Sequence, residues 1–104
     1  MLTGSFRHSI IVQHPAETIG AGGKVTTEWA DIFRFRAALI SSEIVEVSAD
    51  NGKRETLALV FRTHFRPGMT TADRLHYDGK PFNITKVVEI EQRRGLEIHC
   101  EAVS

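Results

Sequence analysis

The chain has 104 residues, with 13 Lys and Arg against 13 Asp and Glu, so its formal charge at pH 7 is zero. That length fits one domain, residues 1–104, with a single small core. The charge balance argues against a dedicated nucleic-acid binder, which shows a basic excess or stripe to meet phosphates. Cys100 is the only cysteine, which excludes an internal disulfide and a thiolate metal cage and fits a reducing compartment. The opening MLTGSFRHSIIVQHP has a short apolar run and no small-residue cleavage site, and no apolar run approaches a membrane span. Synthesis in the cytoplasm, with no membrane partner, is the expectation.

Phe6 to His14 reads as a first strand, with Ile10 and Val12 sharing a face with His8 and His14. Pro15 is expected to end it, because proline cannot donate to a sheet ladder. Ala16 to Gly23 (AETIGAGG) carries three glycines in its last four residues and reads as a flexible hairpin loop. A phosphate cradle is disfavoured, since GAGGK lacks P-loop spacing. Lys24 to Ile40 reads as a long strand in which Phe33, Phe35, Ala37 and Leu39 alternate with Arg34, Arg36 and Ala38. A bend is expected near Trp29 to Asp31. Trp29, with no second aromatic beside it on a basic face, reads as a core or barrel-end plug rather than a stacking platform.

The segment from Ser41 to Arg54 is ambiguous. Ser41 and Ser42 suit helix N-caps and Glu43 suits a first turn, whereas the β-branched Ile44, Val45 and Val47 lower helix propensity. Glu46, Ser48 and Ala49 complete the run, and Asp50-Asn51-Gly52 is a strong turn signal ahead of Lys53 and Arg54. The expectation is a mobile loop with at most a short helix, between the second and third strands.

Arg54 to Phe65 is the cleanest strand, with Leu57, Leu59, Phe61, Thr63 and Phe65 on one face. Arg66-Pro67-Gly68 predicts a type II turn, with proline fixing φ and glycine taking positive φ. Arg74 to Tyr77 is a short strand that runs into the type I′ dipeptide Asp78-Gly79. Lys80 to Ile90 returns, with Phe82, Ile84, Val88 and Ile90 in phase and Lys86 as the exception. After a charged turn at Glu91 to Gly95, the last strand, Leu96 to Val103, points Leu96, Ile98, Cys100 and Ala102 inward. The fold class is all-β, a small barrel or sandwich of about six antiparallel strands.

Catalytic and metal chemistry find little support. The five histidines are scattered, with no HxH or HxxxH pair, although His64 and His76 could approach each other across neighbouring strands. Cys100, on an apolar face, reads as a small buried hydrophobe rather than a nucleophile. Asp73 and Asp78 belong to turns rather than to an acid–base pair. Arg34, Arg36, Arg62 and Arg66 read as a surface balanced by Glu43, Glu46, Glu89 and Glu91. No catalytic residue, cofactor or metal is expected.

In sequence order these features resemble the head–tail joining proteins of tailed bacteriophages, also called head-completion or stopper proteins. The opening Arg7-His8-Ser9-Ile10-Ile11-Val12-Gln13-His14-Pro15 is similar to the family's first strand, and Trp29-Ala30-Asp31-Ile32 to its W-x-D-V element. The most specific match joins Phe61, Arg62, Phe65, Arg66, Pro67, Gly68, Thr70, Asp73, Arg74, Tyr77, Asp78, Gly79, Phe82 and Ile84. Arg93-Arg94-Gly95-Leu96-Glu97-Ile98-His99-Cys100 resembles the family's closing strand. His64 departs from the pattern, where a tyrosine is more usual, and the Glu43 segment is shorter and more β-branched.

The resemblance implies a structural virion protein at the head–tail connector, a small barrel that forms a homo-oligomeric ring beneath the portal and its adaptor. The ring would close the DNA exit after packaging and offer a docking surface for tail proteins. DNA would pass through without specific binding, and zero net charge suits that role. The segment from Ser41 to Arg54 is the implied channel-facing gate. Trp29 and the motif from Arg62 to Ile84 would be structural, with edge strands and Ala16–Gly23 as contact elements. The alternatives are a tail-terminator or tail-tube-like component, and a single-stranded nucleic-acid-binding barrel.

Overall fold

A computed structural model describes residues 6–50 and 52–103 of the chain, Ala49 by its backbone alone. Six antiparallel strands run in the order β1 (His8–Ile19), β2 (Val25–Ala49), β3 (Gly52–His64), β4 (Arg74–Tyr77), β5 (Lys80–Ile90) and β6 (Gly95–Ala102). They close into a barrel with neighbours β1-β2-β3-β6-β5-β4, and β4 returns to β1 through Ile11–His76, Val12–Leu75 and Gln13–Arg74. Closure gives the strands neighbours on both sides within the barrel wall, which protects that part of the sheet from edge-to-edge pairing.

The alternation read from the sequence builds the core. Ile10 and Val12 from β1, Phe35 and Ala37 from β2, Leu59 and Phe61 from β3 point into the barrel. Leu75, Phe82, Ile84, Leu96, Ile98 and Cys100 complete it from the other three strands. Each fully buried aliphatic or aromatic side chain here stabilises the fold by about 1.5–3 kcal/mol. Thr63 is the buried polar exception on β3, and its hydroxyl donates to the Arg36 carbonyl at 2.9 Å, so its burial carries no unsatisfied group.

Three bulges set the phase of the long strands. Ile32 is the extra residue between the pairs Val12–Phe33 and Gln13–Asp31, next to the expected bend at Trp29 to Asp31. Ile40 is extra between Leu39–Phe61 and Ser41–Val60. Thr85 is extra between Ile84–Cys100 and Lys86–His99, and it overturns the expected phase of β5. Beyond it, Val87 packs on the core opposite Ile98, while Val88 and Ile90 fall on the outer row. A single inserted residue exchanges the two faces of every position that follows.

Two elements differ from expectation in extent. β1 continues through Pro15 to Ile19, because beyond Gln13 it no longer pairs with β4 and has a free edge that tolerates a missing N–H. The expected loop Ala16–Gly23 is therefore strand as far as Ile19, followed by a tight turn in which the Gly20 N–H donates to the Lys24 carbonyl at 2.8 Å. The expected loop Ser41–Arg54 is likewise a hairpin, with Ser41 to Ala49 continuing β2 and Gly52 to Arg54 opening β3.

Candidate assembly surface: two hairpin arms and their anchor

β2 is 25 residues long, far more than the barrel wall needs, and it contributes to a two-stranded arm at each of its ends. The first arm pairs His14–Ile19 with Val25–Ala30, from His14–Ala30 out to Ile19–Val25. The second pairs Ile44–Ala49 with Gly52–Leu57, ahead of the point where β3 meets β6 at Ala58–Glu101. Both arms leave apolar side chains in solvent: Ile19 is 77% exposed, Val25 57% and Ile44 66%. Ile19 and Val25 are also direct ladder partners, so the tip of the first arm carries an exposed apolar pair.

The implied gate maps onto the second arm. Ser41, Ser42 and Glu43 lie in ladder with Val60, Leu59 and Ala58. Ile44, Val45, Glu46, Val47, Ser48 and Ala49 pair with Leu57, Thr56, Glu55, Arg54, Lys53 and Gly52 in turn. No residue from Ser41 to Ala49 is helical, since three β-branched residues facing a ready partner strand outweigh the N-cap signal of the two serines. Asp50 is in a turn, Gly52 takes φ 108°, and Asn51 lies outside the described residues. Glu46 and Glu55 are directly opposite, a repulsive placement that the Lys53–Glu46 contact at 3.8 Å partly offsets.

The first arm is anchored by residues that are far apart in sequence. Arg74 on β4 places its guanidinium 4.2 Å from the centroid of the Trp29 ring and donates through Nε to Gln13 Oε1 at 2.8 Å. Gln13 Nε2 in turn donates to Asp31 Oδ1 at 2.8 Å. Next to this relay, the fully buried Asp73 carboxylate accepts from His14 Nδ1 at 2.6 Å and from the Thr70 N–H at 3.0 Å. Three motif segments, at Gln13–Pro15, Trp29–Asp31 and Asp73–Arg74, thus converge on the root of one arm. Trp29, read from the sequence as a core or barrel-end plug, is instead half-buried under Arg74, where a cation–π contact uses the indole face. Gln13, His14 and Asp31 are the anchoring residues that periodicity alone gives no reason to single out.

The rest of the motif is accounted for by turns and packing. Gly68 takes φ 93°, and Asp78 and Gly79 take φ 52° and 75°, as the type II and type I′ turns require. The Tyr77 hydroxyl shares a 2.8 Å hydrogen bond with His8 Nδ1, and its ring meets Phe61 edge-on at 5.1 Å. Phe82 and Ile84 are core. Arg62 donates to Glu97 at 3.1 Å, whereas Arg66 stacks on Phe33 and Phe35, with ring centroids 5.7 and 5.2 Å away. The expected four-arginine surface is therefore divided, with Arg34 and Arg36 left exposed on the outer row of β2.

Burial pushes the Cys100 thiol up to about 12, and its Sγ–H points at the Leu59 carbonyl at 3.6 Å. No three His, Cys, Asp or Glu side chains among the described residues gather at metal-binding distance. His64 packs against Phe6 and His76 pairs with Ile11 and Pro81, so those two histidines are not neighbours in the ladder. No described helix is long and apolar enough to cross a membrane.

The fold is a small closed barrel of six antiparallel strands that carries two exposed hairpin arms, one of them anchored at its root. The chain belongs to the phage head completion protein family, whose sequence model matches residues 1–103. It therefore has a structural head–tail role in a phage virion, in contact with other virion proteins. The solved structures that share the fold include these two. One is a chain from the virion of a native gene transfer agent particle, with TM-score 0.72 and 12% identity, covering 92% of this chain and 94% of that one. The other is a protein of Shigella flexneri 2a solved in solution, with TM-score 0.70 and 19% identity, covering 100% and 98%. No curated protein matches the chain.

Proposed function

We propose that this chain forms a closed ring at the head–tail connector, between portal and adaptor proteins on one side and tail proteins on the other. In that position it retains packaged DNA and offers the tail its docking surface. The observation that carries the reading is the family match over nearly the whole chain, together with two exposed arms that a solitary barrel would not require. The proposed gate is Ser41–Arg54, most of which lies in the second arm. Each copy would present it toward the channel, where a two-stranded arm can swing as a unit. A formal charge of zero favours passage of DNA over retention by the wall. The protein would be made in the cytoplasm of a bacterial host and carried in the virion.

Deleting the gene from its phage or prophage tests this. The expected result is DNA-filled heads that leak their DNA and take no tails. Intact, tailed and infectious particles would overturn the proposal. The purified chain is also expected to co-sediment with a portal–adaptor complex at micromolar concentration.

A further inference from the structure

A cleft of about 330 Å³ opens at the barrel end where β3 runs out and the turn from β5 to β6 crosses over. Its walls include the apolar side chains of Phe65, Met69, Val87 and Leu96, with Arg66, Arg93 and Glu89 among them. Arg93 reaches Glu89 at 3.3 Å, so that pair is internally matched. Arg66 is not. Its guanidinium is fixed by the rings of Phe33 and Phe35, its Nε is buried with no hydrogen-bond partner, and no carboxylate among the described residues is within ion-pair distance. A guanidinium held by aromatic faces keeps its donors fixed for a planar acceptor, and a carboxylate is the acceptor it fits best.

The complementary surface is on the same chain, at the tip of the first arm. Strand periodicity places Glu17 and Ile19 on one face of the arm, with Thr27 and Val25 opposite them across the ladder. Ile19 and Val25 are the exposed large apolar residues of that arm. Glu17 is exposed and has no cation partner among the described residues. One carboxylate beside two branched apolar side chains matches a cleft with an apolar floor and one unmatched guanidinium.

We infer that the Glu17–Ile19–Val25 face of one copy's first arm docks in the Arg66 cleft of a second copy of this chain. Glu17 accepts from the Arg66 guanidinium, and Ile19 and Val25 cover Met69, Val87 and Leu96. The two surfaces are distinct, so the contact is heterologous and repeats from copy to copy. The anchor at Gln13, Trp29, His14 and Asp73 holds the arm at the angle at which it meets the next barrel. Closure of the series into a ring rests on the reading above; the pairwise contact does not.

The test replaces Ile19 with the photo-crosslinking residue benzoylphenylalanine in the full-length chain, mixing isotopically labelled and unlabelled copies at millimolar concentration. Mixed-label covalent dimers are expected, joining position 19 of one copy to the stretch around Met69, Val87 or Leu96 of the other. Glu17→Lys, on an exposed arm that the barrel does not depend on, is expected to lower the dimer yield by about tenfold or more through charge repulsion. Arg66→Gln is expected to do the same while keeping a cooperative melt. No mixed-label dimer, crosslinks to another surface, crosslinks only to portal or tail proteins, or indifference to Glu17→Lys would each overturn the contact. A failed crosslink with a leaking deletion phenotype would sink the contact and leave the connector role standing; a crosslink with no phenotype would do the reverse.

Discussion

At the residue scale, Asp73 concentrates the most consequence in one side chain. It is fully buried and accepts from His14 and from the Thr70 backbone, so Asp73→Asn leaves a donor without its charged acceptor. A loss of about 2 kcal/mol is expected, read as a lower urea midpoint. Cys100 should be inert: with its thiol pushed up to about 12 by burial, it should resist thiol reagents at pH 8 in the native state and react at once in denaturant. Glu97 supplies a pH dependence. Its carboxyl is held below the ordinary range, first by the hydrogen bond from His99 and then by Arg62, against the opposing effect of burial. A depressed folded value means the contribution is complete above about pH 4.3, the unfolded reference, and is lost as pH falls through the lowered folded value. In urea titrations from neutral to acid pH, Glu97→Gln should remove that component, at most about 1 kcal/mol for so accessible a pair. Arg62, Asp73 and Arg74 were legible as motif members. Their partners were not, because Glu97, His14 and Gln13 lie 35, 59 and 61 residues away in the chain.

At the scale of elements, the arms contribute little to the core. Replacing residues 46–55 with an Asn-Gly turn between the paired Val45 and Thr56 should leave a barrel that melts within a few degrees of the parent, followed by far-ultraviolet circular dichroism. The same excision removes most of the proposed gate. The alternating strands β3 and β6 and both short turns were plain in the sequence, since side-chain period and turn chemistry are local. Three features were not. Pro15 reads as a stop, yet it is harmless on an edge, and whether a strand is an edge depends on distant partners. The Ser41–Ala49 run carries N-cap serines and β-branched residues together, and β3 decided between them by offering a ladder. The bulge at Thr85 leaves no mark in composition, and it moved Val88 and Ile90 out of the core and Val87 onto it.

At the scale of the whole molecule, the barrel is closed by β1 meeting β4, which brings Ile11–Gln13 to Arg74–His76. Such non-local closure predicts folding in milliseconds to seconds rather than microseconds. Trp29 under Arg74 reports it, because the indole is covered only when the first arm and β4 have met. Stopped-flow fluorescence should therefore show a burial phase no faster than global folding, and a microsecond Trp29 signal would contradict the assembled anchor. From the sequence alone, the all-β class, the principal inward rows and the family of head-completion proteins could be read. These rest on alternation, turn residues and motif order, all of which are local or linear. The tertiary structure decided the rest: that the segment Ser41–Arg54 is a hairpin, that three scattered motif segments form one anchor, and that Arg66 has no acid within ion-pair distance among the described residues. Each of these depends on which strands become neighbours, and neighbours in a closed barrel are set by long-range pairing that no local pattern encodes.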